Sequence, residues 1–95
     1  MSNAKPLRAI LTVAMDVLVV VAIAETIRIV VLFFGQLSSQ GWGEVVVALT
    51  DPITISFGAE AIKTPYGGVF DVNAAATVVA VLVLEFVLSI VRSRA

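Results

Sequence analysis

Two long apolar segments constrain this chain more than any other feature of its sequence. The first runs from Ile10 to Phe34 and the second from Val72 to Val91. As helices rising 1.5 Å per residue, these segments of about 25 and about 20 residues can each cross a hydrocarbon core of about 30 Å. A two-stranded hairpin would leave its backbone edges unpaired in lipid. The predicted fold class is therefore an all-α membrane protein, a two-helix transmembrane hairpin.

Composition agrees with a chain that has the bilayer as its solvent. Of its 95 residues, 60% are hydrophobic and 14% are charged, which is more apolar side chain than one small soluble core can bury. A net charge of -1 offers no basic surface, so nucleic acid is not an expected partner. Cysteine and histidine are both absent, which excludes thiolate chemistry and the common zinc sites. We expect no metal, no cofactor and no enzymatic activity, because these residue spacings do not assemble a nucleophile, a base and an orienting group.

The placement of basic residues predicts the orientation of the hairpin. Lysine and arginine near the chain ends carry no carboxylate side chain beside them, whereas the intervening loop has Lys63 alone against several carboxylates. By the positive-inside rule both termini face the cytoplasm and the loop faces out. The predicted organisation is a cytoplasmic N-terminus at 1–9, spans at 10–34 and 72–91, an extracytoplasmic loop at 35–71 and a cytoplasmic C-terminus at 92–95. The terminal basic residues are Lys5, Arg8, Arg92 and Arg94; the loop carboxylates are Glu44, Asp51, Glu60 and Asp71.

The N-terminus also has features of a secretory signal. Lys5 and Arg8 precede an apolar run that ends in the small residues of Ala22-Ile23-Ala24. Asp16 in the middle of that run, and its continuation through "IRIVVLFF", favour a membrane anchor instead. The opening "MSNA" resembles the remnant of an expression tag, so residues 2–4 support no inference.

The loop contains signals for a second kind of helix, one that lies along the membrane surface. Thr50 and Asp51 are residue types found at helix N-caps, and Pro52 suits the first helical position. Ile53 begins an apolar stripe at every fourth residue, so an interfacial amphipathic helix is predicted from Pro52 to Lys63. The alternation in "ITISF" leaves a short strand as the alternative.

Turn and capping residues follow this predicted helix. Pro65 is expected to end it, and Gly67 with Gly68 is expected to form a turn. Asp71 or Asn73 can then cap the second span.

Four ionisable residues lie inside the predicted spans: Asp16, Glu25, Arg28 and Glu85. A charge at the centre of a membrane helix costs about 2.5 to 3.5 kcal/mol, so each needs a partner, water or, for a carboxylate, a proton. Glu25 and Arg28 are three residues apart and can pair on one helix face. Asp16 and Glu85 lie at similar depth in an antiparallel hairpin. A further hypothesis is that the loop folds back as a cover and brings Asp51 or Asp71 to Arg28.

Several short motifs together resemble a known membrane protein family. They are Arg28, "LTDP" at Leu49 to Pro52, Pro65, Gly67 with Gly68, and "FD" at Phe70 and Asp71. In order and spacing they resemble the YggT family, called YlmG in Gram-positive bacteria, from Ala24 to Leu88. Two departures are Lys63 in place of a basic pair after Asp-Pro, and "DVNAA" in place of the family's later serine and proline.

The resemblance implies a small integral protein of the bacterial cytoplasmic membrane with no enzymatic activity. Bacterial members of the family are associated with cell-division gene neighbourhoods and osmotic tolerance, and plastid members with cytochrome assembly and nucleoid organisation. We therefore predict a scaffold or assembly factor whose partners are the lipid bilayer and either further copies of itself or another membrane protein. The alternative is a small ion-transport or channel subunit that uses Asp16, Glu85, Glu25 and Arg28.

Overall fold

The structure, a computed structural model, describes residues 4 to 95. Residues 2 and 3 of the segment that resembles a tag remnant lie outside the described residues. Its elements are α1 (Ala4–Phe33), α2 (Gly35–Ser38), α3 (Gly41–Thr50), a short 3-10 helix (Asp51–Ile53), β1 (Ile62–Lys63), β2 (Val69–Phe70) and α4 (Val72–Arg94). Helices α1 and α4 pack side by side and run antiparallel. Arg28 near the end of α1 meets Asp71 at the start of α4, and Arg92 near the end of α4 lies 3.4 Å from Thr12.

Helices α1 and α4 are both long and apolar enough to cross a membrane. Each contains most of one predicted span, and α1 extends further toward the N-terminus. Among the described residues the buried apolar side chains are few: Met15, Val31, Ala74 and Val81. Most of the large apolar side chains on the two helices are exposed instead. The molecule therefore has only a small core of its own and a broad apolar surface.

Local sequence explains where the two long helices end and begin. Phe34 adopts an extended conformation after α1, and the N–H of Gly35 then bonds the carbonyl of Tyr66 rather than continuing the helix. At α4, the carboxylate of Asp71 accepts a hydrogen bond from the N–H of Ala74 at 3.0 Å. This N-cap satisfies a donor that the first turn of a helix leaves free. The prediction that Asp71 caps the second span is confirmed.

The predicted helix from Pro52 to Lys63 is wrong. Only Asp51–Ile53 is helical in this stretch, and the chain then continues irregularly to β1. Side chains on α4 accept hydrogen bonds from the N–H groups of Ile55 and Phe57, which are therefore not bonded within a helix. Gly58 has a φ of 77°, which a right-handed helix excludes. The longest helix of the loop is instead α3, earlier in the chain, and the strand alternative at "ITISF" is also not formed.

The turn between β1 and β2 rests on the end of α1. Pro65 lies in this turn rather than at a helix end, and Gly67 has a φ of 78°. The Thr64 hydroxyl donates to the carbonyl of Phe33 at 2.7 Å. A Cβ atom on Gly68 would overlap the carbonyl oxygen of Leu32. The predicted glycine turn is therefore present, and its second glycine permits close contact with α1.

Gly68→Ala should destabilise the protein by about 1 to 3 kcal/mol, since the added methyl group has no space against the α1 backbone. Gly41→Ala is the matched control, because a Cβ atom at the start of α3 meets nothing within 4 Å. Alanine also favours helix over glycine, so this control should leave stability unchanged or slightly raised. Thermal unfolding in detergent measures both variants. Equal effects would contradict the close approach of Gly68 to α1.

Candidate functional site

Arg28 is the centre of the most extensive polar network in the described chain. Arg28 is 9% exposed and projects from an apolar helix. Nε lies 2.8 Å from Oδ2 of Asp71, and Nη1 lies 2.7 Å from Oδ1 of Asp51. Nη1 also reaches the Thr50 hydroxyl at 2.8 Å and the carbonyl oxygen of Val47 at 3.0 Å. One side chain therefore holds a charge-assisted network of four acceptors.

These four acceptors come from separate parts of the chain. Val47 and Thr50 belong to the last turn of α3, Asp51 begins the 3-10 helix, and Asp71 is the N-cap of α4. Arg28 itself is near the end of α1. The guanidinium thus joins α1, the loop and α4 at one point. The hypothesis that the loop brings Asp51 or Asp71 to Arg28 is confirmed in its geometry, and both carboxylates make the contact.

The two ion pairs differ in how far water can reach them. The side chain of Asp71 is 13% exposed and that of Asp51 is 61% exposed. Exposed pairs contribute little net stability, whereas removing one partner of a buried pair leaves an uncompensated charge. Asp71 is also held in place by its bond to Ala74. The contact with Asp71 is therefore the stronger link of the two.

Glu25 does not pair directly with Arg28, and the predicted pair of neighbours on α1 is wrong. Among the described residues the ion pairs of Arg28 are those with Asp51 and Asp71. The Glu25 side chain is fully buried, and its two oxygens lie 2.8 and 2.9 Å from the hydroxyl of Thr54. The three-residue spacing of Glu25 and Arg28 on α1 allows them to pair, but residues of the loop bind both of them instead. Glu25 thus forms a second attachment point between α1 and the loop.

Thr50 stands at the N-cap of the 3-10 helix, as predicted, but its side chain makes no capping hydrogen bond, and Asp51 lies inside that helix. The hydroxyl of Thr50 donates back to the carbonyl of Val46 at 2.8 Å, as threonine does inside a helix, and accepts from Arg28. The carboxylate of Asp51 forms an ion pair with Arg28. Pro52 does lie in the first turn of a helix, as predicted, although that helix ends at Ile53. Thr50 and Asp51 serve a tertiary contact because Arg28 is within reach.

Two polar residues of α4 that the sequence analysis did not assign to this site complete it. The Thr77 hydroxyl accepts from the N–H of Ile55 at 2.9 Å. The Asn73 amide oxygen accepts from Phe57 at 3.0 Å and from Ala59 at 3.3 Å, and its nitrogen donates to the Ala59 carbonyl. Their signal in the sequence was an asparagine and a threonine one turn apart in an otherwise apolar helix, which places both on one face.

Asp16 and Glu85 lie apart from this network. Asp16 is exposed on α1, whereas Glu85 lies in a groove of about 330 Å³ between α1 and α4. The groove is apolar otherwise, and its walls include Leu18, Ala22 and Val81. Glu85 Oε1 is buried and has no hydrogen-bond partner within residues 4–95. The four ionisable residues of the transport hypothesis thus occupy different surroundings, and that hypothesis stays a prediction.

The network is built for attachment. Nε and Nη1 of Arg28 are both hydrogen-bonded within the protein, and their acceptors come from α3, the 3-10 helix and the N-cap of α4. In the part of the chain that the structure describes, no group of three acidic side chains is arranged to hold a metal ion. Comparisons of the chain with family models, with curated proteins and with solved structures found no match.

Arg28→Lys should release the loop while preserving the positive charge, because lysine lacks the planar fork that serves several acceptors at once. We expect amide hydrogen exchange over 50–59 to accelerate about tenfold or more, which corresponds to about 1.4 kcal/mol of local stability. Exchange in the opposite half of the hairpin should not change. Mass spectrometry of the protein in lipid nanodiscs measures both regions.

Arg92→Lys is the matched control, because within residues 4–95 the hydrogen bond of the Arg92 side chain is a 3.4 Å contact with Thr12 at the other end of the hairpin. This variant should leave the exchange of 50–59 unaltered. If Arg28→Lys also left it unaltered, Arg28 would not hold the loop.

Proposed function

We propose that this chain is a two-span integral membrane protein that acts, without enzymatic activity, as a scaffold or assembly factor for other transmembrane helices. Three observations support this proposal. The two long helices can each cross a membrane. Most of their large apolar side chains are exposed. The polar groups around Arg28 are occupied in fastening the loop, so what the hairpin offers to a partner is the surface of its helices.

The observation that carries the proposal is the position of Glu85 in the groove between α1 and α4. Its Oε1 atom is buried and has no hydrogen-bond partner among residues 4–95. An unpaired polar atom in an apolar setting costs free energy, and membrane helices satisfy such atoms across helix interfaces. The neighbouring wall residues include Ala22 and Thr26, which are small and permit close approach. The groove therefore suits a transmembrane helix that presents a hydrogen-bond donor.

The partner helix belongs either to a second copy of this chain or to another protein of the same membrane. The resemblance to the YggT family supports the same type of role, and the residues that carry it meet in one region. Arg28, Asp51 and Asp71 form the network, and Gly67 with Gly68 forms the turn that rests on α1. As a member of that family it would lie in the bacterial cytoplasmic membrane and assist cell division or osmotic tolerance. Both termini would face the cytoplasm, as the basic residues at the chain ends predict.

Site-specific photocross-linking in cells tests the proposal. A photoreactive phenylalanine derivative at Leu82 lies in the groove, whereas one at Val83 does not line it, although the two positions are adjacent and similarly exposed. We expect a discrete protein adduct from Leu82, identified by mass spectrometry as a second copy or another membrane protein, and little or none from Val83. The same adducts from both positions, or no protein adduct from Leu82, would contradict the proposal.

A comparison of two leucine variants tests whether the carboxylate of Glu85, and not only the shape of the groove, is needed for partner binding. Glu85→Leu removes the acceptor and should weaken the Leu82 adduct several-fold. Asp16→Leu removes an exposed carboxylate outside the groove and should preserve the adduct. Equal effects of the two changes would contradict the assignment of Glu85 to the interface.

A further inference from the structure

The path of the loop along α1 shows that it does not simply cover the end of the hairpin. Gly43 packs against Val31, the carbonyl of Val47 accepts from Arg28, and the hydroxyl of Thr54 reaches Glu25. As the chain proceeds from Gly43 to Thr54, its contacts on α1 thus move six residues back from the end of that helix. At 1.5 Å per residue this is a descent of about 9 Å.

After Thr54 the chain runs along α4 toward the start of that helix. The N–H of Ile55 bonds Thr77, and the N–H groups of Phe57 and Ala59 bond Asn73, four residues nearer the start of α4. The lowest point of the loop is therefore at Thr54 and Ile55. Thr77 lies five residues into α4, about 7.5 Å from its start, and Glu25 lies about 12 Å from the end of α1.

Several backbone groups at and after this lowest point have partners within the protein, most of them side chains of α4. Thr54 donates its N–H to the carbonyl of Thr50, and Ile55 donates to Thr77. Asn73 pairs with both the N–H and the carbonyl of Ala59. Irregular backbone is tolerated at membrane depth only where protein groups or enclosed water satisfy it. A loop lying in water would not need these partners, because water would supply them.

Most of the large outward side chains of the same segment are apolar. Six large apolar side chains between Gly41 and Ala59 are exposed: Trp42, Val45, Leu49, Ile53, Ile55 and Phe57. Two exposed carboxylates lie in the segment: the charge of Asp51 is matched by Arg28, and Glu44 is in the first turn of α3, near the start of the segment. A surface whose N–H groups at Thr54, Ile55, Phe57 and Ala59 bond within the protein, and whose large side chains are apolar, is suited to lipid acyl chains.

We propose that Gly41 to Ala59 forms a re-entrant segment: α3 enters the outer part of the hydrocarbon region, the chain turns at Asp51 to Ile55, and it returns to the surface along α4. Acyl chains of the outer leaflet cover its exposed apolar side. The inference rests on the proposed insertion of α1 and α4 into a membrane, and it differs from a helix lying along the membrane surface. The polar residues Glu25, Arg28, Asn73 and Thr77 are present in the spans because they hold this segment.

Tryptophan fluorescence quenching by brominated lipids tests the depth of the segment. The chain has one tryptophan, Trp42, so Trp42→Phe provides a background free of it. In that background we compare Ile55→Trp, at the turn, with Val83→Trp in α4 and Ser39→Trp before α3. Each variant is reconstituted in phosphatidylcholine vesicles with bromine placed near the headgroup or progressively deeper in the acyl chain.

We expect tryptophan at 83 to be quenched most by the deepest bromine, and tryptophan at 39 to be quenched weakly by all. Tryptophan at 55 should be quenched most by bromine in the upper part of the acyl chain. If 55 behaves like 39 while 83 is deep, the hairpin spans the membrane but the segment is not re-entrant. If 83 is not quenched by deep bromine, the proposed membrane insertion fails together with this inference.

A second pair of variants tests whether α4 holds the turn at depth. Thr77→Val removes the acceptor of the Ile55 N–H and should shift the quenching of tryptophan 55 toward shallower bromine. Thr12→Val is the matched control, because within residues 4–95 the Thr12 hydroxyl contacts Arg92 at the opposite end of the hairpin. Unchanged quenching in Thr77→Val would overturn the role assigned to Thr77.

Discussion

The structure depends on a buried guanidinium that cannot be satisfied within its own helix. The backbone of α1 already uses its carbonyl groups, so Arg28 must take its acceptors from other elements. It takes them from α3, from the 3-10 helix and from the N-cap of α4. The need to compensate one charge in an apolar setting thereby determines where the loop and the second helix lie relative to the first.

Asp71 has two roles that reinforce each other. One carboxylate oxygen accepts from the N–H of Ala74 and starts α4, while the other accepts from Nε of Arg28. The same residue therefore begins the second helix and fixes it to the first. Thr50 combines roles in a similar way, since its hydroxyl donates within α3 and accepts from Arg28. These shared residues explain how a chain with few buried apolar side chains holds a long loop in one conformation.

The sequence predicted the parts of the structure that follow from length, hydropathy and local capping. The two long apolar helices, the glycine turn and the N-cap at Asp71 follow from such patterns. The contact of Arg28 with the loop carboxylates also followed, because a charge within a span requires a partner and the loop is rich in carboxylates.

Other features could not be predicted because they depend on tertiary contacts. Residues 52–63 have helical periodicity, but Thr77 and Asn73 supply partners to their backbone and so replace the helical hydrogen bonds. Glu25 and Arg28 have the spacing of a pair, yet Thr54 and the two aspartates are better placed. In both cases the local sequence favoured one arrangement, and contacts with side chains distant in sequence stabilised another.

The most direct test of the account is a double-mutant cycle between Arg28→Gln and Asp71→Asn, measured as the stability of the reconstituted or detergent-solubilised protein. Asparagine remains a good N-cap, so Asp71→Asn removes the charge while it keeps the start of α4. The account predicts a coupling of about 1 kcal/mol or more for this pair. It predicts a smaller coupling between Arg28→Gln and Asp51→Asn, because the side chain of Asp51 is far more exposed. Strict additivity of Arg28→Gln and Asp71→Asn would show that Arg28 does not join the two helices, and would contradict the account.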